Sequence, residues 1–302
     1  MKRVKTLAFA CVTIASVYVI IVNDGGHWIS ALAGAAIGVF LPLLHASFID
    51  LFDDTDWKTS ETKLRRGKFI QKDTLIRISF AYLFRIKHGD KYLLVRNARG
   101  TGKYQPVGGV YKATDAETII LRNRFNAIDD NKIPLDESSR CDYRMRIADR
   151  YLRAFVRRFN NRKCSREHLS NLSRELTEEL IIPGYVNWRC ISYRFCGRHI
   201  AELTYSKHFQ CYELLLADVV ELLPTEEQRQ DLERMSQQHS DEYRFVTADE
   251  ITSLGVLPGT NCLSETIGDH AVKILQEHEQ YLTRINGYGE KFDAVVNESM
   301  PA

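Results

Sequence analysis

The chain has 302 residues, a formal net charge of +2 and 44% hydrophobic residues, enough for one large globular domain or two smaller ones. So small a net charge points to no class of partner. Its seven cysteines are odd in number, scattered and without a C-x-x-C pair, which argues against a disulfide framework or a zinc site and suits a reducing compartment.

The first elements are apolar. After Lys2, Arg3 and Lys5, Thr6 to Val22 carries no charge; as a helix it covers roughly 25 Å, a little short of a hydrocarbon core. A polar break at residues 23–27 leads to a second uncharged run, Trp28 to Phe48. A basic start with one apolar run could be a cleaved signal peptide, but two runs predict a transmembrane α-helical hairpin over residues 1–50. Basic residues flank it on both outer sides (Lys2, Arg3, Lys5; then Lys58, Lys63, Arg65, Arg66, Lys68) and are absent between the runs. By the positive-inside rule both termini face the cytoplasm, which in a bacterium makes this a two-span protein of the inner membrane. Ser30, Gly34 and Gly38 repeat at four-residue spacing, a pattern that lets helices approach closely, either inside the hairpin or between protomers. Pro42 is expected to bend the second helix. Residues 51–72 read as a polar cytosolic connector whose basic cluster is attracted to anionic membrane lipid.

From residue 73 the periodicity turns to strand. Thr74 to Ile86 is rich in β-branched and aromatic residues, His88-Gly89-Asp90 reads as a turn and Tyr92 to Val95 as the returning strand, a predicted hairpin. Gly100 to Val110 follows, with Gly108-Gly109 able to admit a close neighbour to the backbone. Between Arg140 and Arg166 lie ten basic residues against two acidic ones. Arg146, Arg150, Arg153 and Arg157 fall at i, i+4, i+7 and i+11, one stripe of a predicted helix. Tyr143, Ile147, Tyr151, Ala154 and Phe155 would dock it. Such a stripe suits a solvated or lipid-facing surface, or a grip on phosphates, since guanidinium forks match phosphate oxygens.

Ser173 to Leu180 is the most informative stretch. On a helix Glu175, Glu178 and Glu179 share one face. Such crowding is expected in a solvated acidic surface, or where the carboxylates hold a hard cation such as Mg2+. Arg174-Glu175-Leu176-x-Glu178-Glu179 resembles the core of the Nudix box, G-x5-E-x7-R-E-U-x-E-E-x-G-U, with Ile182 as the last aliphatic. Ile181 stands in place of the glycine before it, Arg166 where the first glutamate belongs and Asn160 where the first glycine belongs. Tyr104, Pro106, Gly108 and Gly109 look like the approach to such a box, with Asp115 in the G-x5-E position. The box therefore reads as split around an insertion at about 116–170. Downstream, 187–205 and 208–216 read as strands, 242–251 as a late strand feeding a short helix and 269–281 as a closing helix. Cys190 and Cys196 are expected as buried thiols in strand. The expected whole is a transmembrane hairpin followed by an α/β Nudix-like domain at 73–290, a mixed sheet between helices with a large helical insertion, and a tail at 291–302.

The resemblance implies a fold and two kinds of function. The layout is similar to the two-span Nudix effectors of cyclic-oligonucleotide antiphage signalling (CBASS), which carry a SMODS-associated Nudix domain. It implies that the cytosolic domain binds a cyclic di- or trinucleotide made by a partner nucleotidyltransferase. Self-association of the spans would then disrupt the inner membrane and abort infection. Expected ligand contacts are Gly108, Gly109, Arg146, Arg150, Arg153 and Arg157, with Ser30, Gly34 and Gly38 at the membrane assembly face. The alternative is a membrane-anchored, Mg2+-dependent hydrolase of nucleoside diphosphate-linked substrates. There Glu175, Glu178 and Glu179 would hold metal, Glu175 and Glu178 would be catalytic, and Arg174 would orient them. The degenerate, split box weighs against turnover. A membrane-anchored scaffold is the third class.

Overall fold

The computed structural model describes residues 2–22, 27–52, 57–97, 102–132, 139–161, 163–199, 201–256, 265–277, 281–283 and 291–296. The chain divides into two compact units, residues 1–59 and 60–302. The first contains helices α1 (Lys2–Val22) and α2 (His27–Phe52), the latter running on through Pro42. Trp28–His45 is long and apolar enough to cross a membrane, and Thr6–Val22 is apolar but shorter. Thr6, Thr13, Ser16 and Ala33 are withdrawn from solvent, while Leu7, Ile14, Ile21, Trp28 and Leu32 are exposed. The Thr13 hydroxyl returns to the Phe9 carbonyl at 2.8 Å, and the Phe9 and Phe40 rings meet at 6.0 Å. Small polar residues thus lie inside and large apolar ones outside, the reverse of a water-soluble helix pair.

The expected connector contains helix α3 (Trp57–Arg66), which begins three residues ahead of the second unit. Strand β1 (Leu75–Arg85) follows, then β2 (Lys87–His88), β3 (Lys91–Arg96), β4 (Tyr104–Gln105) and β5 (Gly108–Val110). The predicted hairpin forms only as the short β2–β3 pair. The longer β1 lies in a different sheet, because its near-continuous apolar run is buried on both faces and needs partners on both edges. Helix α4 (Asp115–Phe125), β6 (Ile128–Asp129), β7 (Arg144–Ala148) and α5 (Asp149–Phe159) come next. They are followed by α6 (Arg174–Leu176), continued by a π-turn over Thr177–Ile181. The chain then forms β8 (Cys190–His199), β9 (Thr204–Ser206), β10 (Cys211–Leu222), α7 (Glu226–Gln237), β11 (Tyr243–Thr247), α8 (Ala248–Thr252), a 3-10 helix (Asp269–Leu275), β12 (Leu282–Thr283) and β13 (Lys291–Val295).

The larger sheet runs β12-β8-β10-β1-β7-β6, with β13, β5 and β9 paired onto β8, β1 and β10. At its centre β1 lies parallel to β10 from Ile76↔Tyr212 to Arg85↔Glu221, and antiparallel to β7 and β5. A second sheet, β11-β3-β2 with β4 on β3, packs Leu94 and Val246 with Leu83, Ala217, Ile251 and Ile267. On the other face of β1, Phe80 meets Tyr143, Phe155 and Phe159 at 4.6–6.3 Å. Each of these four side chains is 0–1% exposed, and such burial contributes about 1.5–3 kcal/mol apiece.

Four expectations are corrected here. Segment 116–170 is not a purely helical insertion, since it supplies β7 to the main sheet and Phe155 and Phe159 to the core. The helix expected to close the domain over 269–281 is only a 3-10 helix ending at Leu275. Residues 291–295, expected as tail, form a strand paired to β8 from Lys291↔Arg194 to Val295↔Cys190. Cys190 is exposed and Cys196 half-buried, so neither is the fully buried thiol expected.

Candidate functional site

The two separated halves of the box meet in space. Strand β5 is pinned along β1 by Tyr82↔Gly109 and Leu83↔Gly108. Gly108 adopts φ +151°, and a side chain there would strike the Tyr82 carbonyl. At Gly109 any Cβ would overlap the Glu175 carboxylate, so that carboxylate occupies its place because residue 109 is glycine. The Gly108 amide donates to Glu179 Oε2 at 3.1 Å, and Arg174 Nη2 donates to the Val110 carbonyl at 2.9 Å. Leu176 and Leu180, both fully buried, hold the helix from beneath.

The helix widens after Leu176: Ile182 N–H bonds to the Thr177 carbonyl at 2.9 Å, an i→i−5 step. Such single π-turns shift the register of the side chains that follow and recur at functional sites. Ile182, the last aliphatic of the box, is 73% exposed here.

Arg174 is the hub of the charges. Its Nη1 lies 2.5 Å from Glu175 Oε1 and 3.5 Å from Glu178 Oε2, and its Nη2 lies 3.4 Å from Glu167 Oε2. Glu167 also accepts from the Tyr82 hydroxyl at 2.9 Å and the Lys112 amide at 3.3 Å. Burial pushes its carboxyl above the usual range, against the opposing charge of Arg174. Sequence reasoning missed Glu167 because it sits one residue after the in-register position, in E-x6-R-E spacing. Asp115, the expected substitute, lies at the start of α4 and faces Arg140 at 3.6 Å instead.

The three glutamates differ in environment. Glu178 is about half exposed, whereas the Glu175 side chain is 14% exposed and tied to Arg174. Glu179 is pushed up to about 8, first by burial and then by the charge of Glu175. Among the described residues no group of three or more acidic, histidine or cysteine side chains is arranged to hold a metal. What the helix offers is a half-buried pair of carboxyl groups, Glu175 and Glu179, facing the glycines. Mg2+ is commonly held by one or two carboxylates together with ligand phosphates, so the pair fits a cation brought in with such a ligand. Glu178 is their exposed neighbour, 3.5 Å from Arg174.

Two depressions flank Arg174. One, of about 600 Å³, is lined by Lys112, Ala113, Asp115, Arg140, Cys141, Arg174 and Glu178. The other, of about 400 Å³, is lined by Lys112, Arg166, Glu167, His168, Ser170, Asn171, Ser173 and Arg174. Both volumes lie in the range of small-ligand sites. Much of the first wall comes from the segment between the box halves.

The arginine stripe is broken by the structure. Arg146 is on β7, opposite Arg77 of β1, because Arg144-Met145-Arg146-Ile147 alternates with the period of a strand. Arg150 pairs with Asp73 at 2.5 Å, and Arg153 pairs with Glu61 at 2.6 Å and reaches Thr62 at 3.0 Å. Arg157 is exposed on α5. The buried face of α5 is Leu152, Phe155, Val156 and Phe159 rather than the predicted stripe, and Ala154 is exposed. In the helix pair, Ser30 is half-buried and Gly34 and Gly38 are exposed. A Cβ at either glycine would meet no atom within 4 Å, so the hairpin does not use this face for its own packing.

Residues 75–275, two thirds of the chain, match the family model described as the SMODS-associated NUDIX domain. No curated protein and no solved structure matches.

Proposed function

The chain belongs to the SMODS-associated NUDIX domain family, and from that premise we propose that it is a membrane-anchored effector of the CBASS type. Its Nudix domain binds a cyclic di- or trinucleotide made by a partner nucleotidyltransferase. Binding drives self-association of α1 and α2, which span the bacterial inner membrane with both termini in the cytoplasm, and the assembled spans breach the membrane. The observation that carries this reading is the order of parts: apolar helices with outward-facing large side chains stand directly ahead of the matched domain. A soluble ligand acts on such helices only by favouring one assembly state over another.

The depressions on either side of Arg174 support a ligand with phosphates near Lys112, Arg140 and Arg174, and its bases in the two hollows. Gly108 and Gly109 serve by admitting Glu179 and Glu175. The arginines of α5 contribute less than their sequence suggests, since three of the four, Arg150, Arg153 and Arg158, already hold carboxylates. Titration calorimetry of the full chain in detergent, against a panel of cyclic di- and trinucleotides, should show one binder in the micromolar range or tighter. No heat with any of them, with or without Mg2+, overturns the reading.

The reassembled box favours a second reading, Mg2+-dependent hydrolysis of a nucleoside diphosphate-linked substrate. The metal would polarise a phosphoanhydride; Glu175, Glu178 and Glu179 would hold it, and Arg174 would fix Glu175. Against this, Glu175 is already paired and Glu179 favours its proton near neutral pH. Phosphate or nucleotide release from capped dinucleotides with Mg2+, abolished in Glu178→Gln, would put the enzyme first.

A further inference from the structure

The turn that follows α3 is built to hold an aromatic side chain outward among unpaired cations. Three backbone bonds close it: Gly67 N to Lys63 O at 2.9 Å, Lys68 N to Arg65 O at 3.1 Å and Phe69 N to Leu64 O at 3.0 Å. Lys68 takes the left-handed conformation at φ 59°. The Phe69 ring lies across Gly67, where any Cβ would collide with it. The next residue, Ile70, is 2% exposed and anchors the turn, yet Phe69 is 67% exposed. The aromatic is thus fixed in place and left in solvent, an arrangement with no use inside the fold.

Around it Lys63, Arg66, Lys68 and Lys72 are all exposed, and none has an acidic partner among the described residues. Arg65 is different, since Asp149 and Glu61 take its guanidinium at 2.5 and 2.8 Å. Lys63 follows the end of α2 at Phe52 by only eleven residues. If α2 ends at the membrane, this turn is held close to the headgroups by the chain itself. Clustered cations near the cytoplasmic leaflet are drawn to anionic lipid, and aromatic rings settle at the interface.

We propose that residues 63–72 form a lipid-docking point, with Phe69 inserted at headgroup level in an anionic bilayer and Lys63, Arg66, Lys68 and Lys72 on lipid phosphates. It rests on the reading of α1 and α2 as membrane helices, and would hold the Nudix domain against the leaflet.

The test uses the full chain in nanodiscs of phosphatidylcholine alone or with phosphatidylglycerol. Phe69→Trp supplies the probe, with the parent's three tryptophans subtracted and brominated lipid as quencher. Quenching of the added tryptophan is expected in anionic discs, several-fold weaker in neutral discs, and lost in a Lys63→Gln/Arg66→Gln/Lys68→Gln variant that melts like the parent. Equal quenching in both discs, or none in anionic discs, overturns the proposal. If the chain stays out of the discs but still sediments with anionic vesicles in a Phe69-dependent way, the docking point stands and the spanning reading falls.

Discussion

Glu179 is where a single residue reports on the site. Its carboxyl is pushed up to about 8 by burial and by Glu175, against about 4.3 in an unfolded chain. The folded state therefore holds a proton that the unfolded state has lost, so this residue's share of stability is full below about pH 4 and is lost as pH rises to about 8. Replacing it by Gln removes that dependence. Melts of wild type and Glu179→Gln should converge at pH 4 and separate at pH 8, with the variant the more stable. Mg2+ at pH 8 should raise the wild-type melting temperature and leave the variant nearly unmoved; identical curves at both pH values would refute the assignment. Gly109 makes the complementary point by sterics. Gly109→Ala displaces the Glu175 carboxylate and should cost about 1–3 kcal/mol in urea unfolding; an unchanged midpoint would refute the steric reading.

Among the elements, α3 is tied to the Nudix domain by charge. Asp149, which opens α5, and Glu61 are both fully buried; Arg65 lies between them and Arg153 closes on Glu61. The Leu203 amide adds a bond to Ser60 Oγ at 2.8 Å. Arg65 and Arg153 remain more than a third exposed, so solvent screens each pair, but removing a buried carboxylate also strands its hydrogen-bond partners. Asp149→Asn should cost about 1–3 kcal/mol. It should speed amide exchange over residues 60–66 while leaving β1 and β10 protected; uniform acceleration across the domain would argue against a local clamp. Glu61 of α3 holds Arg153 and Asp73 holds Arg150, an engagement that explains why a run of arginine in sequence is not a free anionic grip.

At the level of the whole molecule, the proposed function makes ligand site and output separable. Gly34 and Gly38 line an outward face of α2 that the hairpin leaves unfilled. Gly34→Leu should therefore keep nucleotide affinity within about two-fold and cut ligand-triggered dye release from reconstituted liposomes at least ten-fold, since bulky side chains block close helix approach. Loss of binding in this variant, or undiminished release, would break the proposed division of labour.

What the chain alone determined is what depends on local pattern. The two uncharged runs specify helices, the apolar β-branched run from Leu75 specifies a strand, and R-E-L-x-E-E marks a carboxylate-bearing helix. The alternation at 144–147 is local pattern too, and it places Arg146 on a strand rather than on the helical arginine stripe. Tertiary structure decided what depends on partners far apart in sequence. It set Glu167 against Arg174, Gly109 beneath Glu175 and Asp149 against Arg65, and it made β1 the centre of the main sheet rather than half of a hairpin. The physical reason is that backbone periodicity is a short-range property, whereas the protonation and pairing of a carboxylate are set by whatever folding brings within a few ångströms of it.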